Sequence, residues 1–254
     1  MKSSEIIRLL DDVKIIVKDA IKILIESNSK ELIQYSYLQE NEREMKSKVD
    51  NIMNQVILNR LKKNGISILS EESGVSERST DSTYRFIVDP LDGTVNFVRG
   101  VGPSAISIAL YNGDTPIFGV IGNTSSQDII WGGKKIGSFL GSKKINVSDI
   151  EILNESIICT GFPSRFDTSN KKKLFDYYNF MSTFGKVRMI GAASISLMYV
   201  AKGSAEYYLE NNIMLWDVAA GLAIVEGAGG TVFYKKGDFK NSLNVHASNG
   251  KITL

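Results

Sequence analysis

The apolar run Phe86-Ile87-Val88, met at once by Asp89-Pro90-Leu91-Asp92-Gly93-Thr94, constrains this chain more than any other stretch. The run reads as a short buried strand over 84–89. Pro90, with fixed φ and no ladder donor, predicts that the strand stops at Asp89. Asp89 and Asp92 then sit at the mouth of a strand rather than along it. Gly93 lets backbone approach a ligand closely, and Thr94 opens a following helical turn whose N–H groups suit an anion. Carboxylates for a hard cation and amides for a phosphate thus lie side by side. Each of these residue types also builds ordinary polar turns, so the stretch gains meaning only from the rest of the chain.

With 254 residues the chain can bury a full core, as one large domain or two modest ones sharing an interface. Lysine plus arginine (30) against aspartate plus glutamate (28) leaves +2, which gives no basic footprint for nucleic acid and names no partner. A single cysteine, Cys159, excludes an internal disulfide, and a single histidine, His246, excludes a multi-histidine metal centre. Any metal is therefore expected on oxygen ligands, which favours magnesium, manganese or calcium over zinc. The apolar run Ile6–Ile25 is interrupted by Lys14, Lys18, Asp19 and Lys22 at helical spacing. It reads as an amphipathic helix rather than a membrane span, and the chain is expected in the cytoplasm.

Apolar residues at three to four residue intervals predict a first helix from Ile6 to about Asn28 and a second from about Lys48 to Leu61, closed by Asn64-Gly65. Residues 29–47 between them read as a loop or short helix. A strand over 66–69 runs into Glu71-Glu72, and from Ser104 to Val147 the period of two and the turn residues predict antiparallel hairpins. A polar stretch at 148–154 separates them from an alternation of strands (156–160, 187–190, 205–209, 231–235) with helices (169–182, 193–202, 216–228), and a last strand near 245–248. The whole is read as an α/β layered fold with halves 1–150 and 151–254 and a site at their junction.

Glu71, Asp89, Asp92 and Asp217, the last in Trp216-Asp217 at the start of a helix, all fall at strand ends or helix starts. Each has an ordinary reading, as a solvated strand end or a partner of a helix dipole, and Asp50 in the first turn of the second helix has the same one. Four carboxylates converging without cations would repel one another and raise several pKa values, whereas divalent ions resolve the conflict. The Leu91 carbonyl, between two aspartates, is a candidate fifth ligand. Phosphate monoester hydrolysis demands accelerations of up to ~10²¹, of which a general base supplies only about 10²–10⁴. A two-metal site polarises the phosphoryl oxygens, acidifies water and stabilises the leaving oxygen. The Thr94 hydroxyl, backed by Asp50 or Glu71, would orient the attacking water.

Glu71-Glu72-Ser73, Asp89 through Thr94 and Trp216-Asp217, in that order, resemble the pattern of the inositol monophosphatase-like family of magnesium-dependent, lithium-sensitive phosphatases. The likeness extends to Asn96-Phe97-Val98, Gly161-Phe162-Pro163 and Gly191-Ala192-Ala193, and so covers nearly the whole chain. It implies an αβαβα sandwich with a mainly antiparallel N-terminal sheet and an α/β C-terminal half. The implied metal ligands are Glu71, Asp89, Leu91, Asp92 and Asp217, holding two or three Mg²⁺ with Mn²⁺ as a substitute. Gly93 and Thr94 would hold the phosphate, and Thr94, Asp50 and Glu71 would activate water. Asp92, Gly191, Ala192, Ala193 and Glu210 would contact substrate, Glu210 standing where inositol-specific members carry a glutamate for substrate hydroxyls. The implied substrate is inositol 1-phosphate or a related polyol or sugar monophosphate, and the implied assembly a homodimer, with no nucleic-acid or membrane partner. The family's Asp-x-Val-Thr-x-x-Asp segment departs here to Glu44-Met45-Lys46-Ser47-Lys48-Val49-Asp50, a change at the third metal position.

Other readings compete with this one. The same chemistry would serve 3′-phosphoadenosine 5′-phosphate, fructose 1,6-bisphosphate or histidinol phosphate. Cys159 and Arg165 have the Cys-x₅-Arg spacing of a metal-free thiolate phosphatase, although Pro163 removes an N–H such a loop needs. A regulatory binding module on the same fold, without turnover, is the non-enzyme alternative.

Overall fold

The computed structural model describes residues 1–26, 35–38, 41–76, 83–162 and 169–252. The first half runs α1 (Ser3–Glu26), β1 (Tyr35–Leu38), β2 (Asn41–Ser47), α2 (Lys48–Leu61), β3 (Ser67–Ser70), β4 (Gly74–Ser76), β5 (Tyr84–Asp92), α3 (Thr94–Arg99), β6 (Ala105–Asn112), β7 (Thr115–Asn123), β8 (Ile129–Gly133), β9 (Gly137–Leu140) and β10 (Lys143–Ile145). The second half runs β11 (Ile157–Thr160), α4 (Lys171–Met181), β12 (Lys186–Met189), α5 (Ala193–Ala201), β13 (Tyr207–Met214), α6 (Leu215–Gly227), β14 (Thr231–Lys236) and β15 (Ser242–Ser248).

Two sheets carry the architecture. The larger, in the order β10-β9-β8-β7-β6-β5-β3-β4, is antiparallel except for β3 beside β5. The smaller, β12-β11-β13-β15-β14, pairs β11 in parallel with β12 and β13 and finishes with antiparallel strands. The period of two sorts side chains to the faces of the large sheet. Ile106, Ile108 and Leu110 meet α1 and α2, while Ala105, Ala109 and Tyr111 meet α5 and α6. Helix α1 buries a single stripe, Leu10, Val13, Val17, Ile21 and Leu24 among it, as an outer layer should. Helix α6 is buried from Val218 to Val225 without a polar face, because it lies between the two sheets. On the far side of the smaller sheet α4 packs Tyr177 and Met181 onto Ile158, Tyr207 and Leu209. The layers are thus αβαβα, as expected.

Three boundaries differ from the sequence reading. Within 29–47, read as loop or short helix, β1 and β2 form an antiparallel hairpin, and 27–34 and 39–40 lie outside the described residues. Strand β5 does not stop at Asp89 but continues through Pro90 to Asp92. Strand β13 is longer than 205–209 and carries Glu210 within it, with the register broken between Glu210 and Ile213.

Candidate active site

The site begins with the irregularity in β5. Asp89 pairs with Ser107 and Asp92 with Ala105, so three steps along β5 match two along β6, which is a bulge. A bulge is one of the few places where a sheet tolerates proline, since the extra residue needs no ladder donor. The bulge also re-aims side chains. By strict alternation Leu91 would share the face of Asp89, yet it packs with Val88 against the α1 side. Asp89 is left facing α6 and Asp92 facing α5.

Two neighbours complete an acidic cluster. β3 runs parallel beside β5, and the Glu71 N–H donates to Val88 O at 3.2 Å, which sets Glu71 next to Asp89. Asp217 arrives from the first turn of α6. Carboxylate oxygens of Glu71, Asp89 and Asp217 all lie within 4.8 Å of one another. Burial pushes the Asp89 carboxyl well above the usual range, and Glu71, Asp92 and Asp217 push it further. Asp217 is raised in the same way, by burial first and then by Asp92 and Glu71. Oxygen-only donors held this close fit a hard divalent cation.

Asp92 stands outside that group of three. Its Oδ2 accepts the Ser194 N–H at 2.7 Å, and the amides of Ala193 and Gly93 also face the carboxylate. Burial raises it, the hydrogen bonds from Ser194, Ala193 and Gly93 pull it back, and the balance leaves it at about 6. Asp92 therefore acts as a remote cap for the start of α5, and Ser194 Oγ–H in turn donates to Asp217 O at 2.9 Å. The structure thereby ties the acidic residues of β5 and α6 through one serine that the sequence motifs do not mark.

The Thr94 hydroxyl lies 2.9 Å from Asp50 Oδ1 and 3.0 Å from Leu91 O. Asp50 is fixed on its other oxygen, where Oδ2 accepts from Ser47 N–H at 2.6 Å and Ser47 Oγ–H at 2.7 Å. The helix-start role read for Asp50 and its link to Thr94 are thus both realised, one on each oxygen. β2 delivers Ser47, so the hairpin missed in the sequence supports this aspartate.

The segment 191–193 reaches the same place. Gly93 has φ +81, and a Cβ there would stand 3.0 Å from Ala192 Cβ and 3.3 Å from Gly191 O. Asn96 Nδ2 donates to Ile190 O at 2.8 Å and Pro103 O at 2.9 Å, pinning α3 to that segment across the sequence. Only glycine meets both demands at 93. Gly93→Ala is expected to lower stability by about 1–3 kcal/mol, read as a fall in the urea midpoint at unchanged m-value. An unchanged midpoint would show that the segment yields freely.

Glu210 is buried, accepts the Tyr208 hydroxyl at 2.8 Å, and is raised by burial to about 7 with Asp92 adding to the shift. It therefore lies within electrostatic reach of Asp92 and Asp217. The thiolate reading fails on its nucleophile: Cys159 is buried in β11, and burial pushes its thiol up to about 12, so it stays protonated at neutral pH. Pro163 and Arg165 lie outside the described residues. His246 packs beside Tyr207, whose hydroxyl is 2.8 Å from Nδ1, and Lys171–Lys173 form an exposed helix start, as read. Among the described residues no helix is long and apolar enough to cross a membrane.

The sequence profile of the inositol monophosphatase family matches residues 7–253. An inositol-1-monophosphatase from Caulobacter vibrioides is 37% identical over 170 residues, 66% of this chain and 66% of that protein. A fructose-1,6-bisphosphatase/inositol-1-monophosphatase from Aquifex aeolicus is 35% identical over 167 residues, 64% of this chain and 61% of that protein. The matched stretch thus spans just under two thirds of these relatives' length. The solved structure of the extragenic suppressor protein suhB from Bartonella henselae superposes with a TM-score of 0.85 at 29% identity, over 96% of this chain and 95% of that one. With the layered fold and the acidic motifs in place along almost its full length, the chain belongs to the inositol monophosphatase family.

Proposed function

We propose that this chain is a Mg²⁺-dependent phosphomonoesterase that hydrolyses inositol 1-phosphate or a related polyol or sugar monophosphate. The observation that carries the reading is the convergence of Glu71, Asp89 and Asp217, from three separate elements, within 4.8 Å. These residues, with the Leu91 carbonyl and Asp92, would hold two or three Mg²⁺, or Mn²⁺ in their place. When bound, such ions neutralise the phosphoryl oxygens and acidify water.

The protein's own groups do the rest. The amides of Gly93 and Thr94 hold the phosphate beside the carboxylates, the Gly93 amide being shared with Asp92. Thr94, its proton drawn toward Asp50 Oδ1, presents a lone pair to the attacking water, and Glu71 shares in orienting it. As the new P–O bond forms and the ester P–O bond breaks, the proton of the water passes by Thr94 to Asp50, and the leaving alkoxide takes a proton from solvent. Asp92 and the 191–193 segment border the sugar or polyol, and Glu210 accepts its hydroxyls. A cytoplasmic homodimer belongs to the same reading, supported by the family likeness.

The test is a panel of inositol 1-phosphate, fructose 1,6-bisphosphate, 3′-phosphoadenosine 5′-phosphate and histidinol phosphate, assayed with magnesium and then with lithium added. Inositol 1-phosphate is expected to be cleaved with magnesium and protected by lithium. Thr94→Ala and Asp50→Asn are expected to lower kcat by about 10²–10⁴ with KM within a few-fold. The name of the Aquifex relative supports fructose 1,6-bisphosphate as the runner-up. A relative from Xylella fastidiosa, 33% identical over 202 residues, is named a Nus factor SuhB rather than a phosphatase, and that name supports a second reading, a binding module without turnover. Magnesium-dependent turnover of any panel member excludes that reading, and none at all overturns the first.

A further inference from the structure

The carboxylate of Glu210 is boxed on two sides. Tyr208 and Glu210 stand two residues apart on β13, so both turn toward the inter-sheet layer while Tyr207 and Leu209 face α4. Tyr208 is fully buried, and its hydroxyl donates to Glu210 Oε2 at 2.8 Å. From the opposite side Gly161 approaches so closely that a Cβ there would stand 2.9 Å from Oε1 and 3.2 Å from Oε2. Gly161 is itself anchored, since the Tyr177 hydroxyl lies 3.2 Å from its carbonyl and 3.1 Å from Leu209 O, and also meets Thr160 Oγ1. Strands β11 and β13 therefore fix both walls of the box. Burial keeps the Tyr208 phenol protonated, so its hydroxyl has a proton to give to the Glu210 carboxylate.

With Oε2 engaged by the phenol, the acceptor for a substrate hydroxyl is Oε1. We propose that Tyr208 is a positioning residue for substrate selection, holding the Glu210 carboxylate against Gly161 so that Oε1 accepts a hydroxyl of a polyol phosphate. This rests on the assignment of Glu210 to substrate hydroxyls under the proposed function. A buried carboxylate that loses its one tyrosine donor turns toward another partner or takes up a proton, and a protonated oxygen no longer accepts in the same place.

The experiment compares kcat/KM for inositol 1-phosphate with that for p-nitrophenyl phosphate, whose leaving group has no hydroxyl, in the full chain with magnesium. In Tyr208→Phe the ratio of the two is expected to fall about tenfold, mainly through a higher KM for inositol 1-phosphate. Tyr208→Phe placed in a Glu210→Gln background should change the ratio no further, because the phenol acts only through the carboxylate. Gly161→Ala, whose Cβ would crowd Oε1 most closely, should lower the ratio as well. It keeps the idea testable if Tyr208→Phe folds poorly. A ratio that falls in Glu210→Gln but stays at the parent value in Tyr208→Phe or in Gly161→Ala overturns the positioning role and leaves the Glu210 assignment standing. If Glu210→Gln also leaves the ratio unchanged, the Glu210 assignment falls and takes this inference with it. A parent that cleaves neither ester overturns the proposed function itself.

Discussion

Asp217→Asn, and separately Asp89→Asn, lowers magnesium-dependent phosphate release at least ~10³-fold, well beyond the 10–100-fold typical of residues that merely orient a metal ligand, and leaves the fold intact. Asparagine keeps the shape of the side chain and one oxygen but gives up the charge. Three carboxylates within 4.8 Å can hold a divalent ion tightly only if their charge is available, and removing one charge of three weakens that hold directly. The fold survives because neither residue is a core anchor. Asp89 is raised by burial and by Glu71, Asp92 and Asp217, and Asp217 is raised by burial and by Asp92, Glu71 and Glu210 against a hydrogen bond to Asp89 that lowers it, which means the ionised cluster costs folding free energy when no cation compensates it. In EDTA the asparagine variants should accordingly match or exceed the parent in urea midpoint, by about 1–3 kcal/mol. Asp149→Asn, at an exposed aspartate paired with Lys251 on the surface, serves as the control and should change neither number. Activity within tenfold of the parent in either cluster variant contradicts the site.

The residues of the acidic cluster were legible because each falls in a short linear pattern at the end of a strand or the start of a helix, where chain direction alone fixes its location. Glu71 and Asp89 could be placed side by side from two neighbouring strands, and β3 and β5 do pair in parallel. The stretch 105–111 similarly reads as an antiparallel strand, which the antiparallel pairing of β6 with β5 and β7 bears out.

What stayed hidden depends on contacts between distant residues or on local irregularity. Pro90 reads as a stop because it lacks a ladder donor, yet inside a bulge that donor is not needed, and the strand runs on. The β1–β2 hairpin carries too many charges for an apolar period of two to show, although Ser47 at its end forms a local capping box with Asp50 three residues on. Ser194, Asn96 and Tyr208 bear no motif of their own chemistry. Asn96 meets Ile190 across 94 residues and Ser194 meets Asp92 across 102, distances over which sequence pattern carries no signal.

Stability of the metal-free protein should fall as pH rises from 5 to 8, and magnesium should abolish the fall. Asp92 is raised from 3.8 to about 6 and Glu210 from 4.5 to about 7, with burial the leading cause in both, and Asp89 and Asp217 move in the same direction. Between the unfolded values near 4 and these folded values the native state binds more protons than the unfolded chain. The slope of unfolding free energy with pH is then negative. The stability is fully present below about pH 4 and is lost as pH passes through about 6 for Asp92 and about 7 for Glu210. Each shift corresponds to roughly 3 kcal/mol, and a Tm lower by roughly 10 °C at pH 8 than at pH 5 is the expected scale for a chain of this size. Under the proposed function magnesium binds the ionised cluster and not the unfolded chain, adding about 2.7 kcal/mol at a hundred times its Kd, and its pull grows as protons leave. Thermal melts at pH 5, 6.5 and 8, in EDTA and in magnesium, read both trends, and Asp217→Asn should flatten the EDTA series. A Tm in EDTA that climbs with pH would mean that the carboxylates are held ionised by groups of the protein itself. The cluster would then need no cation, and the chemistry proposed for it would lose its physical basis.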